Sequence, residues 1–393
     1  MPDSRERRRI VPDYLLNAQD VTANRPFPDV VVQARSRQDS HGFLVDDFCA
    51  LAESSVTPVK EGGEMRSKFD VNVPLRSLLP KGIGHLAVVG LGAGCARDVL
   101  PMVRMQADLM NMGYATGLAA AMAARNGGDF RALDLAALRK TLVGEGILRK
   151  ETLGWTADVD VSSDALLAAS VKSMGHAFKG SHVVCRPENH ARAIPLLRAA
   201  YASALDSEAR QIYAVTLGYF GDATGVETLL GLVTNKEKCA IPNRMGAFGG
   251  GRTGMNAWML ALGRTKDRRA LAPLLRQLKK LGPNPSVASV RGVTLALEAL
   301  GDPGAAPALA ACLSQPGLHG FAVKDFRELP PQGGYGLGPE MDNCIRELSL
   351  ARALFACGDP DGLARRTLEA YARDPRGVLS LYAKTLLSSQ DGH

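Results

Sequence analysis

Residues 85–125 read HLAVVGLGAGCARDVLPMVRMQADLMNMGYATGLAAAMAAR, and the reading of this stretch decides the fold of the first part of the chain. LAVVG (Leu86 to Gly90) is short, apolar and β-branched, the pattern of a strand covered on both faces. Gly90, Gly92 and Gly94 follow, where the backbone can turn sharply or approach a ligand. From about Asp108 to Arg125 the chain is rich in Ala, Gly and Met without proline, which predicts a helix. Gly113 and Gly117 lie four apart, so one face of that helix can come very close to something flat. A dinucleotide fingerprint fails here. Its third glycine is Cys95, and Pro101 interrupts any helix starting at the turn. The alternative is a plain core strand–helix unit without a ligand.

Working outward, the preceding FDVNVPLRSLLPKG alternates Phe69, Val71 and Val73, a strand that leads into LAVVG. Following it, LAALRKTLVGEG within 128–158 reads as a short helix. At the start of the chain, Arg5 to Arg9 form a basic run that composition alone reads as solvated surface or a nucleic-acid contact. DSHG places His41 in a turn, where a side chain titrating near neutrality can serve as a general acid or base or simply be satisfied by the turn.

These segments together resemble a family of FAD-dependent oxidoreductases. RRRIVPDYLLNAQDV is similar to the family's RESRRIVG-Y-x-L-T-x-x-D-V, through Arg5, Glu6, Arg8, Arg9, Tyr14, Leu16, Asp20 and Val21. FPDVVV (Phe27, Pro28 and Asp29 onward) and the His41 turn follow in the family's order. VPLRSLLPKGIGHL resembles I-P-Y-R-S-L-[LV]-P-K-G-[IV]-x-N-L through Val73, Pro74, Arg76 to Ile83 and Leu86. Gly90, Arg104, Met110, Met112, Gly113, Ala115 and Gly117 match the closing flavin-binding element, a strand and loop leading into M-x-M-G-Q-A-A-G-x-A-A-A. Leu91, Arg97 and Tyr114 depart from it, standing where the family often has Arg, His and Gln.

The resemblance implies FAD as cofactor, with Gly90, Leu91, Gly92, Arg104, Gln106, Met112 and Gly113 against it. It implies hydride transfer to or from an unidentified small-molecule substrate, with Arg8, Arg9 and His41 as the candidates for substrate contact and proton transfer. The N-terminus of the helix near Asp108 is expected to face the flavin N1–C2=O edge, where helix-end N–H groups stabilise negative charge. Flavoproteins of this kind also carry the ADP half of the cofactor on an N-terminal βαβ unit. No such pattern precedes residue 85, so the chain is expected to be the C-terminal portion of a longer oxidoreductase, or to receive the ADP-binding half from a separate chain.

From about Asp160 the pattern changes to paired helices. Asp222, Asp267, Asp302 and Asp359 each have a leucine five residues before them (Leu217, Leu262, Leu297, Leu354) and an apolar residue four after (Val226, Leu271, Ala306, Leu363). Three of these aspartates follow glycine, a helix–turn–helix unit whose aspartate caps the second helix. Each unit exposes an apolar stripe that a neighbour must cover, so the expectation is a HEAT-like α-solenoid, resembling a tail that some members of the same family carry. Two glycine-rich insertions interrupt it. MGAFGGGRTG imitates a Walker A loop, but Arg252 replaces the lysine and no strand precedes it. LPPQGGYGLGPEMDN is a run of turn residues.

The expected architecture is therefore an α+β part over residues 1–158, an incomplete FAD-binding and substrate domain, followed by an all-α solenoid over 159–393. The alternative is a non-catalytic repeat scaffold, a degenerate flavin-domain remnant beside a protein-binding solenoid. The 46% apolar content allows full cores, and 5% aromatics favour helix-on-helix packing. Net charge of +7 over 393 residues is too thinly spread to imply nucleic-acid binding. Seven scattered cysteines without C-x-x-C argue against a disulfide framework or a zinc site. With no apolar run long enough for a membrane span and no signal peptide in this sequence, a cytoplasmic location is expected.

Overall fold

Val30–Ala34 (β1) and Val71–Pro74 (β4) are both fully buried and pair antiparallel, Val32 opposite Val73 and Gln33 opposite Asn72, with a slip between Val30 and Val32. The computed structural model describes residues 9–35, 59–61, 64–66, 70–176, 178–235, 254–329 and 339–389. Between β1 and β4 lies a short antiparallel hairpin, Val59–Glu61 (β2) with Glu64–Arg66 (β3). A two-stranded ribbon is marginal in water. The β1–β4 ribbon is covered by helices: α2 (Gln106–Ala124) and α3 (Leu135–Gly144) both pack on β1, while α1 (Ala18–Thr22) lies upstream, started by an Asn17/Asp20 capping box. Gln33 and Asn72 pay no burial penalty, because Gln33 Nε2 donates to Asn72 Oδ1 at 3.0 Å and Asn72 Nδ2 donates to the Arg25 carbonyl at 2.9 Å.

LAVVG is not a strand. Residues 86–89 run without a ladder and lead into a single 3₁₀ turn, Gly90–Gly92. The apolar, β-branched composition is right for a buried strand, but a strand needs hydrogen-bonding neighbours, and this segment pairs with neither described sheet. Val88 N–H instead donates to the Leu78 carbonyl at 2.8 Å, and Leu86 and Val89 are left exposed. The helix begins at Gln106, two residues before the expected start, and Pro101 sits in a separate 3₁₀ turn at Leu100–Met102.

The remainder is helical: α4 (Asp164–Met174), α5 (Ser181–Val184), α6 (His190–Ser203), α7 (Ser207–Tyr219), α8 (Val226–Thr234), α9 (Gly254–Arg264), α10 (Leu271–Lys279), α11 (Val287–Leu300), α12 (Ala306–Leu313), α13 (Pro339–Ala356), α14 (Leu363–Ala372) and α15 (Gly377–Ser388). Helices α7, α9, α11 and α13 lie side by side in succession, and α8, α10, α12 and α14 each follow one of them. The four aspartates do sit at the turns. Asp222 accepts from Thr224 N–H, Asp267 from Arg269 N–H, Asp302 from Gly304 N–H, and Asp359 from both Ala364 and Arg365 N–H. The same register recurs between neighbours. A Cβ on Gly218 would lie 2.7 Å from the Ala261 carbonyl oxygen, and one on Gly263 would lie 2.1 Å from that of Ala296. Each glycine is four residues before its aspartate, and each carbonyl six before the next one, so equivalent positions make equivalent close approaches. Most of the Walker-like loop and most of the second glycine-rich insertion fall outside the described residues. Among the described residues, no helix is long and apolar enough to cross a membrane.

Candidate functional site

Three segments converge beside the start of α2. Ile10 N–H donates to the Gly92 carbonyl at 3.0 Å, Leu16 N–H to that of Gly94 at 3.0 Å, and Gly94 N–H to that of Ser77 at 2.9 Å. The 90–94 turn is thus held by the segment following the basic run on one side and by the PLRSLLPKG segment on the other. Gly94 is required for that closeness: a Cβ there would lie 2.3 Å from Pro12 and 2.6 Å from the Ser77 carbonyl oxygen. Gly90, at φ +74, directs its N–H to the buried thioether of Met112 at 3.5 Å, which locks the turn to α2.

Helix α2 is apolar on two sides. Asp108, Met112, Ala115, Thr116, Ala119 and Ala123 face the core. The opposite stripe, Met110, Gly113, Tyr114, Gly117 and Ala121, faces outward. Met110 is 74% exposed and Tyr114 49%, and nothing lies within 4 Å of where a Cβ would stand on Gly113 or Gly117. This outward face is an exposed, largely apolar ledge. Ile83, Leu86 and Val89 add further exposed apolar surface on the same unit. At its start, Met105 supplies no side-chain cap to the first N–H groups. Arg131 fixes the 80–83 loop, donating to the Pro80 carbonyl at 2.8 Å, the Ile83 carbonyl at 3.1 Å and Asp13 at 2.8 Å. His85 Nδ1 meets the Gly128 carbonyl at 2.9 Å.

The structure brings most of the expected cofactor residues into one region. Gly90, Leu91 and Gly92 form the turn, Arg104 is half-buried just before α2, Gln106 opens the helix exposed, Met112 is buried beneath the turn, and Gly113 lies on the outward stripe. Arg9 immediately precedes Ile10 at that turn, and its charge opposes the burial that pushes the Cys95 thiol up to about 12. Arg8 and His41 lie outside the described residues.

Other motif residues do something the sequence did not reveal. Tyr14 donates to Asp20 Oδ2 at 2.7 Å, and Arg25 donates to Asp20 Oδ1 at 3.2 Å and to the Tyr14 hydroxyl at 2.8 Å. Arg76 grips Asp158 with two hydrogen bonds of 2.6 Å and donates its backbone N–H to Asp29 Oδ2 at 3.0 Å. The Arg76 guanidinium lies 4.9 Å from the Tyr14 ring centroid and that of Arg25 lies 5.0 Å from Phe27. From the helical part, Arg186 enters and donates to Asp20 Oδ1 at 2.5 Å. Burial, reinforced by the Asp20 charge, pushes the Tyr14 phenol up, so it stays a hydrogen-bond donor. These aligned residues form one network that takes in Arg186 from the helical region, and Arg186 and Asp158 carry no local motif that could have singled them out.

Residues 2–142 match the model of a family described as FAD dependent oxidoreductase, about a third of the chain. That match bears out an oxidoreductase-type region and FAD as its cofactor. No curated protein matches the chain. Among solved structures, the complex of CpcE and CpcF of phycocyanin lyase from Nostoc sp. PCC7120 is 21% identical, over 49% of this chain and 63% of that one, with a TM-score of 0.32.

The α2 ledge is consistent in shape with the flavin half of FAD. It is flat because Gly113 and Gly117 carry no side chain, it is apolar, and it adjoins a helix start without a side-chain cap. Among the described residues there is no parallel βαβ unit of the kind that holds an ADP moiety.

Proposed function

We propose that this chain is the C-terminal portion of an FAD-dependent oxidoreductase, joined to a HEAT-like helical array, and that α2 is one wall of its flavin site. The observation that carries this reading is the outward face of α2, where Gly113 and Gly117 leave open space between exposed Met110 and Tyr114 within the family-matched region. When bound, FAD supplies the hydride acceptor or donor. Gly113 and Gly117 let the helix approach a ring system closely, while Met110 and Tyr114 shield the ring edge from water. The first N–H groups of α2, with Arg104 just before it, favour negative charge at the helix start. Arg9 stands beside the same turn as a candidate for substrate contact, and Arg8 and His41 remain candidates for substrate contact and proton transfer.

The remaining wall, in this reading, comes from an ADP-binding unit on a separate or longer polypeptide, which also covers Ile83, Leu86 and Val89. The array of repeats offers a surface for a protein partner. Adding FAD to the purified chain tests the reading: saturable quenching of flavin fluorescence supports it, and a folded chain that leaves flavin fluorescence unchanged contradicts it.

A further inference from the structure

Resting on the reading of this chain as part of an FAD-dependent oxidoreductase, we propose that residues 86–89 are the edge on which the ADP-binding unit docks, by main-chain pairing with an outer strand of that unit's β-sheet. Leu86 to Val89 have the composition of a buried strand, yet they lie in neither described sheet. Among the described residues, the backbone of 84–89 makes one backbone-to-backbone hydrogen bond, from Val88 N–H to the Leu78 carbonyl at 2.8 Å. Val89 is extended, at φ −113 and ψ 170. In an extended chain the N–H and C=O groups of Ala87 and Val89 leave on the side opposite to those of Val88. One edge of the segment is therefore anchored to Leu78, and the other offers its donors and acceptors to an incoming strand.

Side-chain exposure selects the kind of partner. Alternate residues of a strand face opposite sides, so Leu86 and Val89 fall on opposite faces of a paired segment, and they are 45% and 39% exposed. A helix or a flat surface laid on the segment covers one of them. A sheet edge flanked by apolar layers covers both, and it pairs the open main chain at the same time. Exposed Ile83 extends the apolar surface, as does exposed Val11, whose carbonyl accepts from Lys81 N–H at 2.8 Å. Both ends of the segment are fixed. His85, at φ +57, meets the Gly128 carbonyl through Nδ1 at 2.9 Å, and Gly90 N–H reaches the Met112 thioether at 3.5 Å. An incoming strand thus meets an edge already in place, which lowers the ordering cost of docking.

The test is a titration of the full chain with a blocked strand peptide of alternating valine and threonine with lysine at each end, followed by hydrogen exchange over residues 84–90. The control is the same peptide N-methylated at two adjacent central residues, which blocks both of its edges and keeps every side chain. The parent peptide is expected to bind saturably at one site, at least tenfold more tightly than the control, and to slow exchange at Ala87 and Val89. Val89→Lys, at an exposed position, is expected to weaken the peptide at least fivefold, with thermal unfolding checking that the variant is folded. The proposal is overturned by absence of saturable binding, by equal binding of the control, or by unchanged exchange over 84–90. Dimerisation of the chain alone that protects the same residues also overturns it, by making a second copy the occupant. A flavin titration of the same sample separates the two readings: flavin bound without peptide rejects the docking edge alone, and peptide bound without flavin rejects the flavin wall alone.

Discussion

Arg186 donates to Asp20 at 2.5 Å across 166 positions of sequence, with both side chains buried. Asp20 is shared by Tyr14, Arg25, Arg186 and the backbone N–H of Asn17, so its two oxygens are fully used. Breaking a buried pair by removing one partner costs about 3–5 kcal/mol, because the other charge stays buried. Asp20→Asn strands two arginines, whereas Arg186→Met leaves Asp20 with Arg25 and Tyr14. The expected result in urea unfolding is a large loss for Asp20→Asn and a smaller one for Arg186→Met. Losses for both within the range of exposed ion pairs, about 0–1 kcal/mol, would mean that Asp20 does not hold these segments together.

A second ion pair of the same network responds to acid. The two hydrogen bonds from Arg76 hold the Asp158 carboxyl below its ordinary value of 3.8. A depressed folded-state pKa stabilises the fold above the unfolded value, and that contribution disappears as pH falls through the lower folded value. The melting temperature of the natural chain is therefore expected to exceed that of Asp158→Asn at pH 6, with the gap closing below about pH 4 as a carboxylate of ordinary pKa titrates. A gap that persists unchanged to pH 2 would assign the effect to packing rather than charge.

Repeat register is tested by two glycines in neighbouring elements. Gly263→Ala places a methyl 2.1 Å from the Ala296 carbonyl oxygen, so overpacking is expected to cost about 1–3 kcal/mol or more. Gly231→Ala, inside α8 with nothing within 4 Å, is expected to stabilise by about 1 kcal/mol through helix propensity. Chemical denaturation of the two variants should move in opposite directions; movement in the same direction would contradict the close approach of α9 to α11.

On α2 the same substitution separates stability from binding. Gly117→Phe meets open space, so the melting temperature is expected to stay level or rise. If flavin lies against this face, binding is lost at the same time. A Phe variant that binds flavin normally would move the site elsewhere.

Local patterns were legible in the sequence where local chemistry decides the outcome. The capping aspartates and the small-residue helix at 106–124 are both set by neighbours within a turn or two. LAVVG misled because its composition is that of a strand while its fate depends on whether another strand lies beside it, and none does among the described residues. The family-like residues Tyr14, Asp20, Asp29 and Arg76 were picked out by the family resemblance, but their convergence with Arg186 and Asp158 was not, since pairs so far apart leave no periodic trace. The α2 ledge was half visible: spacing gave the glycine face, and the structure added that nothing in the described chain covers it.

The most direct test of the central claim is a fluorescence titration of the purified chain with FAD and, in parallel, with FMN. If α2 is the flavin wall and the ADP-binding half resides elsewhere, both cofactors bind saturably with affinities within a few-fold of each other, and Gly117→Phe abolishes both. If the folded chain quenches neither, or if Gly117→Phe binds both as the natural chain does, α2 is not a flavin site.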